Sequence, residues 1–126
     1  MNIKESAENY LETILVLSQR NPIVRSIDIS TELQFKKSSV SVAMKNLREN
    51  GYITMSESGS ITLTESGKAI AEMIYERHNL LAGWLESLGV NAEIAAHDAC
   101  RMEHVLSEDS FHAIKKYLSL NKNEDE

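Results

Sequence analysis

The stretch "KKSSVSVAMKNLRENGYITMSESGSITLT", residues 36–64, changes its periodicity halfway, and that change restricts the fold more than any other feature. Up to Gly51 the apolar positions Val40, Met44 and Leu47 recur at i, i+4 and i+7, the stripe of an amphipathic helix. Past Gly51 two short β-favouring runs, 52–55 and 61–63, flank the turn-forming "SESGS". The spacing predicts a helix ended by glycine, with a hairpin directly behind it.

Two more helices precede this one. "SAENYLETILVLSQ" (6–19) carries Tyr10, Leu11, Ile14, Leu15 and Leu17 at helical spacing, with Ser6 as N-cap and "RNP" as the stop. "RSIDISTEL" (25–33) reads as a short second helix with Ile27, Ile29 and Leu33 turned inward. Helix, short helix, turn, helix and hairpin is the order of a winged helix-turn-helix, whose third helix enters the DNA major groove. We therefore expect a mainly α protein, with a winged helix-turn-helix over 1–64 and an all-helical domain over 65–126. In the second part "ESGKAIAEMIYERHNLLAGWLESLG" predicts a long amphipathic helix, and "NAEIAAHDACRMEHVL" another, capped by Asn91. Ser107 opens a last helix, and the polar tail "NKNEDE" is expected to fray.

Charge agrees with this division of labour. The chain carries −6 overall, which argues against a polyanion partner until its distribution is considered. Residues 20–51 hold Arg20, Arg25, Lys36, Lys37, Lys45 and Arg48 against only Asp28, Glu32 and Glu49. A basic segment within an acidic chain is the pattern of a local DNA contact. Lys37 and Lys45 are suited to neutralising phosphates, alongside Arg25 and Lys36; Ser38, Ser39 and Ser41 are suited to donating to phosphate or base edges. Val42 lies about 200° from Val40 and points outward, either onto a thymine methyl or against a neighbouring helix. The hairpin tip has Glu57 and no basic residue, so the wing should add little affinity.

No apolar run approaches a membrane span and the N-terminus lacks a secretory apolar region, so the expected location is the cytoplasm, without a membrane partner. The single cysteine cannot form an internal disulfide and stands in "HDACRMEHVLS", residues 97–107. On a helical wheel Cys100, Glu103 and His104 share a sector of about 100°, beside the core face of Ala95, Ala99, Met102 and Leu106. Thiolate, carboxylate and imidazole are the donors of transition-metal sites. Three ligands leave such a site incomplete, so His78, Asn9 and Glu12 are candidates from other helices, and His97 lies close enough on the wheel to join. No phosphate loop, nucleophile elbow or HExxH is present, which argues against an enzyme and a small-molecule substrate. The competing reading is a winged-helix regulator sensing redox state through Cys100 without a metal.

Together "ENYLETIL", the winged-helix segment, "LTESGKAIAEMIYERHNLL" and "HDACRMEHVLS" resemble the diphtheria toxin repressor family of metal-dependent repressors. The resemblance runs over nearly the whole chain. It implies a metal-activated homodimeric repressor binding palindromic operator DNA. It also implies a form similar to the short manganese transport regulator branch, without the SH3-like domain of the iron branch. On that basis Cys100, Glu103 and His104 fall on ligand positions, Glu12 on a ligand of the manganese branch and His78 on one used in both. Asn9 replaces a methionine in the iron branch and an aspartate in the manganese branch. Ala82 and Ala96 stand where the iron branch's ancillary site has Glu and His, so that form of second site is not expected unless His97, next door, substitutes. The thiolate favours Fe(II), Co(II) or Zn(II) over Mn(II), while Glu12 adds a hard oxygen; the expected effector in the cell is Fe(II), with Mn(II) next and Zn(II) or Co(II) binding in vitro. The family dimerises through the helices after the wing, where Ile74, Leu80, Leu81, Trp84 and Leu85 supply apolar contacts.

Overall fold

In a computed structural model, the backbone is described for residues 5–124 and the side chains for 5–120. Among these residues the chain forms α1 (Glu5–Arg20), α2 (Ser26–Leu33), α3 (Lys37–Glu49), β1 (Ile53–Met55), β2 (Ile61–Leu63), α4 (Glu65–Ser87), α5 (Ala92–Val105) and α6 (Glu108–Glu124). Two compact units result, Met1–Met73 and Ile74–Glu126. The division falls inside α4, later than the expected one at 64/65, because the first turns of α4 pack with the wing.

The first unit is organised by a few fully buried side chains. Leu11 and Ile14 of α1, Ile29 of α2, Val40 and Met44 of α3 and Ile53 of β1 are all buried. Each large apolar side chain removed from water contributes about 1.5–3 kcal/mol. The i, i+4, i+7 stripe of α3 is thereby accounted for. Ser6 is inside α1 and does not cap it, since Glu5 is already helical. Ile27 is 46% exposed, against the expectation that it turns inward; an eight-residue helix buries a narrow face, and Ile29 fills it.

The α2–α3 turn is made without glycine. Gln34 adopts φ 57°, ψ 40°, and the Ser30 hydroxyl donates to Phe35 O at 2.6 Å while Phe35 N donates to Ser30 O at 3.2 Å. Those two bonds offset the cost of a left-handed non-glycine residue, about 1–2 kcal/mol. The hairpin pairs Ile53 with Leu63 and Met55 with Ile61, and Ile61 N also donates to Val24 O at 2.7 Å.

Gly67 marks where α4 meets the wing. A Cβ there would lie 2.0 Å from Tyr52 O, which is backbone and cannot swing aside. Thr64 fixes the approach: its N–H donates to Tyr52 O at 3.0 Å and its hydroxyl to Gly51 O at 2.7 Å. Gly67→Ala should lower unfolding stability by about 1–3 kcal/mol, as overpacking does. Thermal unfolding with chelator present measures it, and an unchanged midpoint would show that the approach is not tight.

In the second unit Asn91 Oδ1 accepts from Glu93 N at 2.8 Å and Ser107 Oγ from Ser110 N at 3.1 Å, so both expected caps form. The tail expected to fray is helical as far as Glu124, and the last two residues lie outside the described part. Of the five residues assigned to a dimer contact, Ile74 and Leu81 are buried within the chain at 1% and 0% exposure. They serve the protein's own core; Leu80, Trp84 and Leu85 remain half-buried.

Candidate metal centre and nucleic-acid face

Three residues of α5 converge at its C-terminal end. The spacing of four from Cys100 to His104, with Glu103 between, puts their donor atoms within 4.8 Å of one another. Four tetrahedral ligands at bond lengths of about 2.0–2.3 Å stand roughly 3.3–3.8 Å apart. A slight contraction would therefore make the three a coordinating set.

Glu103 is the centre of this group. It is completely buried, more so than Met102 and Leu106, which the wheel placed on the core face. Its Oε2 lies 3.0 Å from His78 Nδ1 and its Oε1 3.4 Å from His104 Nε2. The first contact is a hydrogen bond; the second is not, and Oε1 is a buried oxygen with no hydrogen-bond partner. Leaving such an oxygen unsatisfied costs about 1–3 kcal/mol, more when it is charged. That hydrogen bond joins His78 Nδ1 to the buried carboxylate, its donor set by the tautomer of the ring. A buried unpaired carboxylate oxygen, a thiol and two imidazoles are donors a divalent transition metal would satisfy. The residues present fit such an ion.

The other expected ligands lie on α1 and earlier on α5. Glu12 is buried on α1 at 9% exposure, despite its charge, and Asn9 is half-buried one turn earlier. His97 is exposed, its ring 3.7 Å from the exposed Asp98, and outside the cluster of donors. The wheel angle misled here, since His97 lies two turns from His104 along the axis. The depth of Glu103 left no signal in the sequence.

Lys36, the N-cap of α3, and Lys37, Ser38, Ser39, Ser41, Val42 and Lys45 on the helix are all exposed. Val42 is 60% exposed, on the side of the helix away from Val40 and Met44. Arg25 Nε instead donates to Ser58 O at 3.3 Å, tying the wing tip to the start of α2. Arg20 pairs with Glu32 at 3.0 Å, which takes one cation of the basic segment into a bridge between α1 and α2.

Residues 2–60 match the model of the iron dependent repressor N-terminal DNA binding domain, and residues 64–124 that of the iron dependent repressor metal binding and dimerisation domain. An uncharacterized HTH-type transcriptional regulator of Methanocaldococcus jannaschii is 31% identical, with 92% of this chain and 94% of that protein aligned. The HTH-type transcriptional regulator MntR of Geobacillus thermodenitrificans is 33% identical over 81% of this chain and 72% of its own length. A solved manganese-dependent transcriptional repressor in complex with manganese superimposes with a TM-score of 0.82 at 26% identity, over 90% of this chain. The chain spans 52% of that longer protein. With residues 2–60 and 64–124 each matching a domain model of that family, the chain belongs to the iron-dependent repressor family of metal-responsive transcriptional regulators.

Proposed function

We propose that this protein is a homodimeric repressor of metal-ion homeostasis genes, binding palindromic operator DNA when Fe(II) or Mn(II) is bound. The observation that carries the metal part is the buried, unpaired Oε1 of Glu103 beside His104 and Cys100. The ion's chemistry is simple: it supplies positive charge and open coordination positions to a carboxylate, a thiol and an imidazole. Cys100, Glu103 and His104 bind it, and His78 is oriented by its bond to Glu103. Asn9 and Glu12 of α1 are proposed as the remaining oxygen donors. Because α1 belongs to the DNA-binding unit, ligation by Glu12 makes DNA affinity depend on metal occupancy.

The same coupling runs both ways. If metal raises operator affinity 100-fold, about 2.7 kcal/mol, DNA must raise metal affinity by the same factor. A thiolate and an imidazole favour Fe(II), Co(II) and Zn(II); Glu12 and Asn9 add the hard oxygen that suits Mn(II). Fe(II) is the effector we favour, with Mn(II) next. Nothing in this role requires an enzyme activity.

The test is anaerobic capture of fragmented host DNA by the protein in chelator, Mn(II), Fe(II) or Zn(II). Enrichment of a few palindromic sites by one metal is expected; equal capture in chelator would remove the switch. On a captured site, Lys45→Ala should weaken binding and reduce the slope of log affinity against log salt by about 1. Val42→Ala should instead alter operator preference and leave that slope unchanged. Equal loss on every sequence would mean that Val42 reads no base.

A further inference from the structure

Arg77 is a second charged residue buried in the helical unit, and the metal ligands do not include it. It is 5% exposed. Its Nη1 donates to Glu103 O at 3.1 Å and to Leu106 O at 2.8 Å, and its guanidinium carbon lies 5.0 Å from the centre of the Phe111 ring. Its Nε is buried without a hydrogen-bond partner, and no carboxylate pairs with it among the described residues. A desolvated guanidinium costs several kcal/mol when left unpaired, so its place calls for an explanation.

The two carbonyls supply one. Glu103 is in the last turn of α5 and Leu106 is its C-cap, where backbone carbonyls lack helical donors. A helix C-terminus carries roughly −0.5 of an elementary charge, so a buried cation is favoured there. The Phe111 ring face offers a second attraction. The same side chain thereby clamps the backbone of Glu103, the carboxylate at the centre of the metal site. It also immediately precedes His78 on α4, the residue whose ring bonds that carboxylate.

We infer that Arg77 is a positioning residue for the metal centre: it locks the last turn of α5 so that Glu103 and His104 face the ion in one geometry. This rests on the metal-site reading above. The opposite expectation is electrostatic. A nearby cation repels a metal ion, so if charge alone mattered, removing Arg77 would tighten binding.

Co(II) added anaerobically to the full chain decides between these. Wild-type protein should show a thiolate-to-cobalt absorption and visible ligand-field bands. Arg77→Met should weaken Co(II) binding about 10–100-fold, as loss of an outer-shell partner does, and should shift the ligand-field bands of the saturated protein. Arg77→Lys keeps a buried charge and a donor but loses the planar fork, and should fall between the two. Unchanged or tighter binding would overturn the inference, and so would weaker binding with an unshifted spectrum, which marks a merely structural residue. Should Arg77→Met not fold, Arg77→Lys carries the decision on the same spectral criterion. Absence of the cobalt signature in wild-type protein would overturn the metal centre itself, a distinct result.

Discussion

Glu103→Gln should abolish the metal response and leave the metal-free protein at least as stable as before. The two halves of this result have one cause. In the native chain the carboxylate is completely buried, and one oxygen has no hydrogen-bond partner. Removing its charge removes a desolvation cost, and the glutamine oxygen can still accept from His78 Nδ1. A buried carboxylate with one oxygen unsatisfied is costly, and an amide of the same shape that keeps the bond to His78 avoids that cost. The unfolding midpoint in chelator should therefore stay level or rise.

Metal binding moves the other way. Loss of the central anionic donor should cost at least about 100-fold in affinity for Mn(II) or Co(II), since outer-shell changes alone cost 10–100-fold. Wild-type protein at 100 times Kd should gain about 2.7 kcal/mol from the ion; Glu103→Gln at the same concentration should gain almost nothing. Paired thermal melts with chelator and with Mn(II) read both numbers. A variant that is destabilised in chelator yet keeps the metal-induced rise would make Glu103 a structural polar group and sink the metal centre.

Much of this arrangement was legible in the chain, for reasons that differ between elements. The α3 stripe of Val40, Met44 and Leu47 is readable because one helix face is apolar and the other is not. The hairpin is readable because β-branched residues flank a Ser/Gly turn. Cys100, Glu103 and His104 are readable because a helical wheel uses only local geometry. What escaped depends on other segments. Ile27 is as apolar as Ile29, and only the placement of the short α2 decides which one is buried. Ile74 and Leu81 cannot be told from interface residues until the unit's own core is seen to need them. The clamp made by Arg77 joins α4 to carbonyls more than two dozen positions away, and backbone carbonyls have no letter in a sequence.

In the proposed site Cys100 should set the metal preference, and two substitutions separate charge from softness. Cys100→Ser replaces a thiolate by a neutral hydroxyl, so it removes one negative charge and the soft donor together. Zn(II) and Co(II), which are held well by sulfur, should lose about 1,000-fold; Mn(II), which prefers oxygen, should lose only about 10-fold, through the charge. Cys100→Glu restores the charge with a hard oxygen. Mn(II) affinity should then recover to the wild-type level or beyond, while Zn(II) and Co(II) remain about 10-fold or more below it. Cys100 is half-buried, with its sulfur within 4.8 Å of the Glu103 and His104 donor atoms. Competition titrations against a chromogenic chelator, run anaerobically, give all the affinities on one scale. Equal recovery of all three metals in Cys100→Glu would show that charge alone sets the selectivity. No change in any of them with Cys100→Ser would take the sulfur out of the ligand set, leaving the site with histidine and oxygen donors only.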